Sequence, residues 1–380
     1  MNKLNSTAHI VKQSGNFLLF SLLLLICSCG APAVNNTNKE DTVAYYTKDD
    51  YPTVGKIDAH VHIWTADTTI VHVAREDNFR MLTIVVDEDP GIILQEQYAV
   101  QHQKQFPQYV SFATSFTVDD WDSPDWSKKT IDKIKTSVAN GAIGVKIYKN
   151  IGMTLKDKQG HFVMIDNPRF DEMLDYLTKA NIPVIGHLGE PKDCWLPLDQ
   201  MLINSNRKYY MKHPEFHMYA HPSYPSYEQQ IAARDHMLEK HPQLQFVGAH
   251  LGSLEWNTDT LAMHLDKLPN MAVDMAARIS SLQFLASKDW QKVHDFFIRY
   301  QDRLIYGTDR SAEPTSKTPA EVAKFIHDAW LEDWVFFTTS DTLHSSSFEG
   351  PFTGLRLPKT VIDKIYRTNA EKWFKGLNRP

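Results

Sequence analysis

The chain is poor in cysteine and has no block of basic charge. Three cysteines, Cys27, Cys29 and Cys194, stand among 380 residues. A disulfide framework is therefore excluded as the source of stability, which must come from a packed core. The formal net charge is −6, with no cluster of Lys and Arg, so neither nucleic acid nor an acidic surface is called for as a partner. No apolar run reaches the roughly 20 residues that a membrane-spanning helix needs. The clearest one, FLLFSLLLLIC at 17–27, has the length of a signal-peptide core. Aromatics, by contrast, are plentiful, with 9 Trp, 15 Tyr and 19 Phe, enough for both a core and a substrate cleft.

Lys3 and Lys12 precede the apolar run, which ends in Ile26-Cys27-Ser28-Cys29-Gly30. This ending resembles a bacterial lipobox, in which a small residue precedes the cysteine that becomes lipidated. Cys29 fits better than Cys27, because Ser28 is small and Ile26 is not. Residues 1–29 thus read as a lipoprotein signal peptide, with an ordinary cleaved signal or an uncleaved anchor as competing readings. Residues 30–50 are polar and read as a flexible tether, leaving 51–380 as the working domain. The expected location is extracytoplasmic, periplasmic or on the outer surface, with membrane contact through the lipid alone.

From residue 56 onward, short apolar segments alternate with helical patterns. Strands are expected at 56–63, 80–87, 109–116, 142–148, 182–188, 244–250, 271–276 and 303–308. The stretches SKKTIDKIKTSVANG, NPRFDEMLDYLTKAN and TPAEVAKFIHDAWLED carry apolar residues three and four apart. Strands that alternate with helices imply a parallel sheet, because parallel neighbours need crossover connections. Eight such units suit an α/β fold of the (β/α)8 TIM-barrel type. A doubly wound open sheet competes, but it normally carries a Gly-rich phosphate turn after its first strand. Here that strand ends in His62-Ile63-Trp64. The connection from 189 to 243 is long and rich in Tyr, His and Trp. It reads as an insertion after strand 5, either a lid or substrate wall, or an ordered cover with no substrate contact.

The stretch KIDAHVHIW, 56–64, places Asp58, His60 and His62 two apart, hence on one face of a strand. Two imidazoles side by side can share a metal ion. Side chains at the C-terminal ends of barrel strands converge on one site. Those ends carry His60 and His62, then Lys146, His187, His250 and Asp309. The ordered set DAHVH, VIGHLGEP, FVGAHLG, IYGTD and IYRTNAEKWF resembles the amidohydrolase superfamily, and within it the amidohydrolase-related family of metal-dependent hydrolases, decarboxylases and hydratases. The resemblance covers about 56–376. It implies a barrel holding a divalent metal, commonly zinc, with manganese as the alternative. His60, His62, His187 and Asp309 would be ligands, and His250 would lie beside the metal-bound water. Asp309 and His250 would then be the catalytic pair.

Other candidates leave two readings each. Lys146 would bridge two metals as a carbamate, or act through its charge. Glu190 would orient a ligand or bind substrate, and Glu255 would do the same or cap a helix. Arg278 would bind a substrate carboxylate or pair with Asp274, and Arg310 is a further candidate for substrate binding. His213, His217 and His221 read as surface or lid residues. The segment 348–360 reads as a loop closing near the site. The expected activity is hydrolysis of an ester, lactone or amide carbonyl in a small molecule. The alternatives are a lyase reaction, decarboxylation or hydration, and a non-catalytic binding lipoprotein. A homodimer is an expectation drawn from the resemblance.

Overall fold

We describe the fold from a computed structural model, over residues 43–377. The signal peptide and Cys29 lie outside the described residues. Nine strands form one all-parallel sheet in the order β8-β7-β6-β5-β4-β3-β2-β1-β9. They are β1 (Lys56–Ile63), β2 (Phe79–Ile84), β3 (Val110–Ser115), β4 (Ala142–Ile147), β5 (Val184–Gly186), β6 (Phe246–Gly248), β7 (Met271–Asp274), β8 (Leu304–Ile305) and β9 (Arg310–Ala312). Each of the eight expected strands is present, mostly shorter than expected. The ninth continues the eighth beyond a break at 306–309. Across the break, Ala59 N donates to Tyr306 O at 3.0 Å and Asp309 N donates to His60 O at 2.8 Å. Since β8 pairs with β7 and β9 pairs with β1, the sheet closes on itself through this segment. The expected (β/α)8 barrel is the fold.

The helices follow the apolar spacing. Trp126–Ala139, Asp171–Lys179 and Pro319–Thr338 correspond to the three stretches read from the sequence. The last is fixed at its start by a capping box. Thr318 Oγ1 accepts from the Glu321 amide at 3.3 Å, while Glu321 Oε2 accepts from the Thr318 amide at 2.8 Å. Pro319 fits the first turn, where its missing N–H is not needed. The buried face of this helix includes Trp330, which stacks on Phe79 of β2 with ring centroids 4.3 Å apart. Each such buried aromatic contributes about 1.5–3 kcal/mol of transfer free energy. Among the described residues, no helix is long and apolar enough to cross a membrane.

Strict alternation fails once in β1, with consequences for the site. Its register to β2 shifts between Asp58 and Val61, the mark of an extra residue in one strand. Ile57 and Ala59 join the barrel floor, packed with Ala370, Trp373 and Phe374 of the C-terminal segment. Asp58 turns to Trp330 Nε1 at 2.8 Å and Thr308 Oγ1 at 2.6 Å. The expectation that Asp58, His60 and His62 share a face is thereby corrected: the bulge resets the period of two after Asp58.

Two other boundaries differ from the sequence reading. The tether expected over 30–50 does not extend through Val43–Asp50. Tyr46 is buried and donates to Asp363 Oδ1 at 2.8 Å, and Trp334 Nε1 donates to Thr47 O at 3.0 Å. Tyr46, after the polar run, gives this segment apolar surface to bury, while Tyr45 stays exposed. Between β5 and β6 the chain forms four 3-10 turns and the helices Asn204–Lys212 and Tyr227–Lys240. Part of it has its own small core of Cys194, Met201, Tyr210 and Met218. Cys194, the sole cysteine of the described residues, is a buried free thiol.

Candidate metal centre

The imidazoles on β1 are oriented from behind. His62 Nδ1 lies 2.8 Å from the Ile84 carbonyl oxygen. A carbonyl only accepts, so Nδ1 carries the proton and a neutral His62 presents a bare lone pair at Nε2. That lone pair faces Asp309 Oδ1 at 3.1 Å. His60 repeats the arrangement. Its Nδ1 is 2.8 Å from Asp274 Oδ2, and its Nε2 is 3.3 Å from Asp309 Oδ1. Acceptors aimed at one another in a buried site repel unless a cation stands between them. Lys146 Nζ reaches His60 Nε2 at 3.4 Å. His62 and Asp309 still need a proton or a metal ion. Outer partners of this kind are what fix the tautomer of metal-binding histidines, so the residues present fit a divalent metal.

Asp309 sits where the eighth strand breaks, in a left-handed conformation with φ of 65°. Gly307 makes the approach possible, since a Cβ there would lie 2.9 Å from His60 Cβ. The Asp309 side chain is 29% exposed, against 0% for His60. It is therefore the member of the group that meets solvent. It borders a cleft of about 890 Å³, whose walls also include Ala277, Thr308, Ser205 and the segment 344–347. Ser205 belongs to the long β5–β6 connection, which therefore forms part of the wall. The neighbourhood of 348–360 contributes Phe352.

His60, His62 and Asp309 each bring a ligand atom within 4.8 Å of the others, as do His60, His250 and Asp274. His187 lies outside both groups. It follows β5 directly, and its ring centroid is 4.2 Å from that of His250. Its Nε2 is buried without a hydrogen-bond partner, 3.6 Å from Glu190 Oε2. His250 is 2% exposed, with Nδ1 2.9 Å from Ala276 O. Three of the four residues expected as ligands are therefore gathered, and the fourth stands beside them on the neighbouring wall.

Asp274 was not among the residues singled out for the centre. The sequence offers it only as a partner for Arg278, but it is 1% exposed and holds both His60 Nδ1 and the His250 amide, the latter at 2.8 Å. An acid closing the apolar strand MAVD was the available signal. Arg278 is 8% exposed and turns elsewhere: its NH2 is 4.0 Å from Glu190 Oε2, and its Nε has no partner. Glu190 is paired chiefly with Lys149, at 2.6 Å. Arg310 lines the same cleft as Asp309, with its guanidinium 4.4 Å above the Phe325 ring. His217 and His221 bond to carbonyls within the long connection, at Leu196 and Pro214, and His213 lies by Glu215.

Burial governs the electrostatics. It pushes the His60 and His250 imidazoles below their usual range and His187 down to about 4, so these rings are neutral donors near pH 7. Burial also lowers the Lys146 amine to about 8. Burial opposes ionisation of Asp309, and its carboxyl is held well below the usual range only when His250 facing it is charged and His62 donates to it from Nε2. The Lys149 ammonium does the same for Glu190 against the same opposition.

Glu255 goes the other way. It is 5% exposed, and only its Oε1 has a partner, the Lys192 amide at 2.9 Å. Burial raises its pKa from 4.5 to about 7, against the pull of Arg278. The folded state then binds this proton more tightly than the unfolded chain. Its stabilising contribution is complete below the unfolded value and is lost as pH rises through the folded one. Glu255→Gln is neutral throughout. Its stability relative to the parent should rise by about 3 kcal/mol between about pH 4 and pH 8. Denaturant melts at the two ends of that range check this, and a constant difference would contradict it.

Buried imidazoles and a carboxylate, held by outer partners at the mouth of a (β/α)8 barrel, form a donor set that fits a divalent metal. The amidohydrolase family profile matches residues 57–376, and the chain belongs to that family. Comparison with curated proteins finds no match. Among solved structures, the chain is similar to 2,6-dihydroxybenzoate decarboxylase from Rhizobium. The TM-score is 0.52 at 13% identity, covering 84% of this chain and 98% of that one. The same decarboxylase complexed with 2,6-dihydroxybenzoate gives 0.50, with the same identity and coverage. At these identities the likeness establishes the fold. A 5-carboxyvanillate decarboxylase from Novosphingobium aromaticivorans, complexed with manganese, scores 0.48 at 13% identity, over 86% of this chain and 97% of that one.

Proposed function

We propose that this protein is a metal-dependent lyase that removes CO2 from a small carboxylic acid, and that it does so as a lipid-tethered extracytoplasmic protein. The observation that carries the reaction is Arg278. Its guanidinium is buried, with NH1 on Ala277 O at 3.0 Å, NH2 4.0 Å from Glu190 Oε2 and Nε without a partner, and that remaining donor supports a role in receiving a carboxylate, which a neutral ester, lactone or amide does not require. The likeness to decarboxylases of hydroxybenzoates supports the same substrate class. His60, His62 and Asp309 would hold the metal, with His187 completing the set. Three imidazoles and a carboxylate suit zinc, and manganese is the other candidate. When bound, the ion supplies positive charge that draws electron density from the substrate.

The chain's own groups do the rest. Arg278 orients the carboxylate that leaves. Asp309, at the solvent edge, passes a proton between water and the carbon that loses CO2. His250 lies against Asp309's side of the site and keeps that proton path aligned. Hydrolysis stands as the second reading, because Asp309 is held ionised and open to water, as a base for water attack requires. The lipid anchor rests on Cys29. Labelling with radioactive palmitate should mark the full chain, and Cys29→Ser should abolish the label.

The test is a pair of assays on metal-loaded protein. One follows CO2 release from hydroxybenzoates, beginning with 2,6-dihydroxybenzoate. The other follows acid release from esters and lactones. CO2 release supports the lyase, whereas acid release without CO2 makes the enzyme a hydrolase. For the lyase, Arg278→Met should raise KM by about 10- to 100-fold, as loss of a charge-assisted bond implies. An unchanged KM would remove the carboxylate role.

A further inference from the structure

After β6 the backbone runs through four consecutive left-handed residues: His250 (φ 60°), Leu251 (59°), Gly252 (60°) and Ser253 (58°). Residues with a Cβ avoid this region, and a bulky one such as leucine is a true outlier. Such a run persists only where its surroundings over-determine it. A side chain at Gly252 would be strained by the left-handed backbone and would have to displace the ends of Met271 and Arg234, whose Cε and NH1 lie 2.7 and 3.1 Å from the Cβ position.

Two side chains of the helix Tyr227–Lys240 tie the carbonyls of this turn. Arg234 NH1 donates to Gly252 O, and Tyr227 Oη donates to Ser253 O at 2.5 Å. Arg234 is 1% exposed and is itself braced: Asp235 Oδ1 accepts from its Nε and NH2 at 3.0 and 2.7 Å. Asp235 Oδ2 lies 2.6 Å from His264 Nδ1, on the next helix. Tyr227 Oη also accepts from Trp256 Nε1 at 2.9 Å. At its other end the turn delivers His250, whose amide and ring are caught by Asp274 and Ala276.

We infer that Arg234 and Tyr227 are positioning residues for His250. They hold the left-handed turn that aims its ring at the site, so turnover depends on them while metal retention does not. The inference rests on His250 taking part in the reaction. Neither residue hydrogen-bonds to His60, His62, His187 or Asp309, and the turn meets the His187 loop through a different bond, Ser253 Oγ to Gly189 O at 2.5 Å, which Tyr227→Phe and Arg234→Met leave in place; this separates the two effects.

Hydrogen exchange of the segment 246–257 in the full chain tests this, together with metal content per chain. In Tyr227→Phe and Arg234→Met, exchange there should be about tenfold faster than in the parent, as loss of one buried hydrogen bond implies, with metal content unchanged. Arg234→Lys, which keeps a donor for Gly252 O, should recover part of the protection. Tyr227→Phe removes one hydroxyl and keeps the ring, so it carries the test should Arg234→Met fail to fold. Parental exchange in Tyr227→Phe, or loss of metal in step with faster exchange, would overturn the inference. Tyr227→Phe and His250→Ala are assayed alongside, on whichever probe the parent converts; turnover should fall in Tyr227→Phe with metal retained, and parental turnover in Tyr227→Phe would overturn the inference. Parental turnover in His250→Ala would refute the role of His250 while leaving the exchange result standing.

Discussion

Asp309→Asn is expected to lower turnover by about 10²- to 10⁴-fold, the usual worth of a positioned proton-transfer group. Asparagine keeps the size of the side chain and can keep an oxygen toward His62. It cannot hold or pass the proton. The left-handed backbone at 309 is tolerated by asparagine nearly as well as by aspartate, and Asp309 N keeps its bond to His60 O whatever the side chain. The folded structure should therefore survive with little change in melting temperature. Steady-state rates and a thermal melt decide the matter together. Turnover within tenfold of the parent, in protein that melts normally, would remove Asp309 from the chemistry.

The second large effect divides the adjacent histidines. His187→Ala is expected to abolish metal retention. His250→Ala is expected to keep the metal and lose turnover by about 10²- to 10⁴-fold. The rings are close, 4.2 Å between centroids, but their bonding differs. His250 is committed at Nδ1 to Ala276 O, and its amide to Asp274. His187 has a buried Nε2 with no hydrogen-bond partner, and an orphaned nitrogen in such a site is stabilised by a ligand. Metal analysis after dialysis, run on both variants, reads the difference. Equal metal loss from the two would show that the division of roles is wrong.

Much of this was legible in the chain. The barrel follows from eight apolar segments separated by helical spacing, and the histidines and Asp309 from their places at strand ends. What stayed hidden depended on geometry that spacing does not encode. The bulge in β1 adds a residue without any Gly or Pro to announce it, so Asp58 was read onto the wrong face. Asp274 looked like an ordinary acid until its burial against His60 and His250 gave it a role. The split of the eighth strand at Asp309 is a backbone event at a residue type only modestly suited to a positive φ. The left-handed turn at 250–253 is stabilised by a helix that lies earlier in the sequence, through contacts that no local pattern carries. Residues 43–50 read as tether because the polar run masks Tyr46, which the body buries.

The account turns on a metal held at His60, His62 and Asp309. Elemental mass spectrometry of protein lacking residues 1–29, supplied with zinc or manganese and then dialysed, measures it directly. At least one divalent ion per chain, lost in His62→Ala, is the result expected. A second ion would implicate Lys146 as a bridge. No retained metal under either supply would contradict the account.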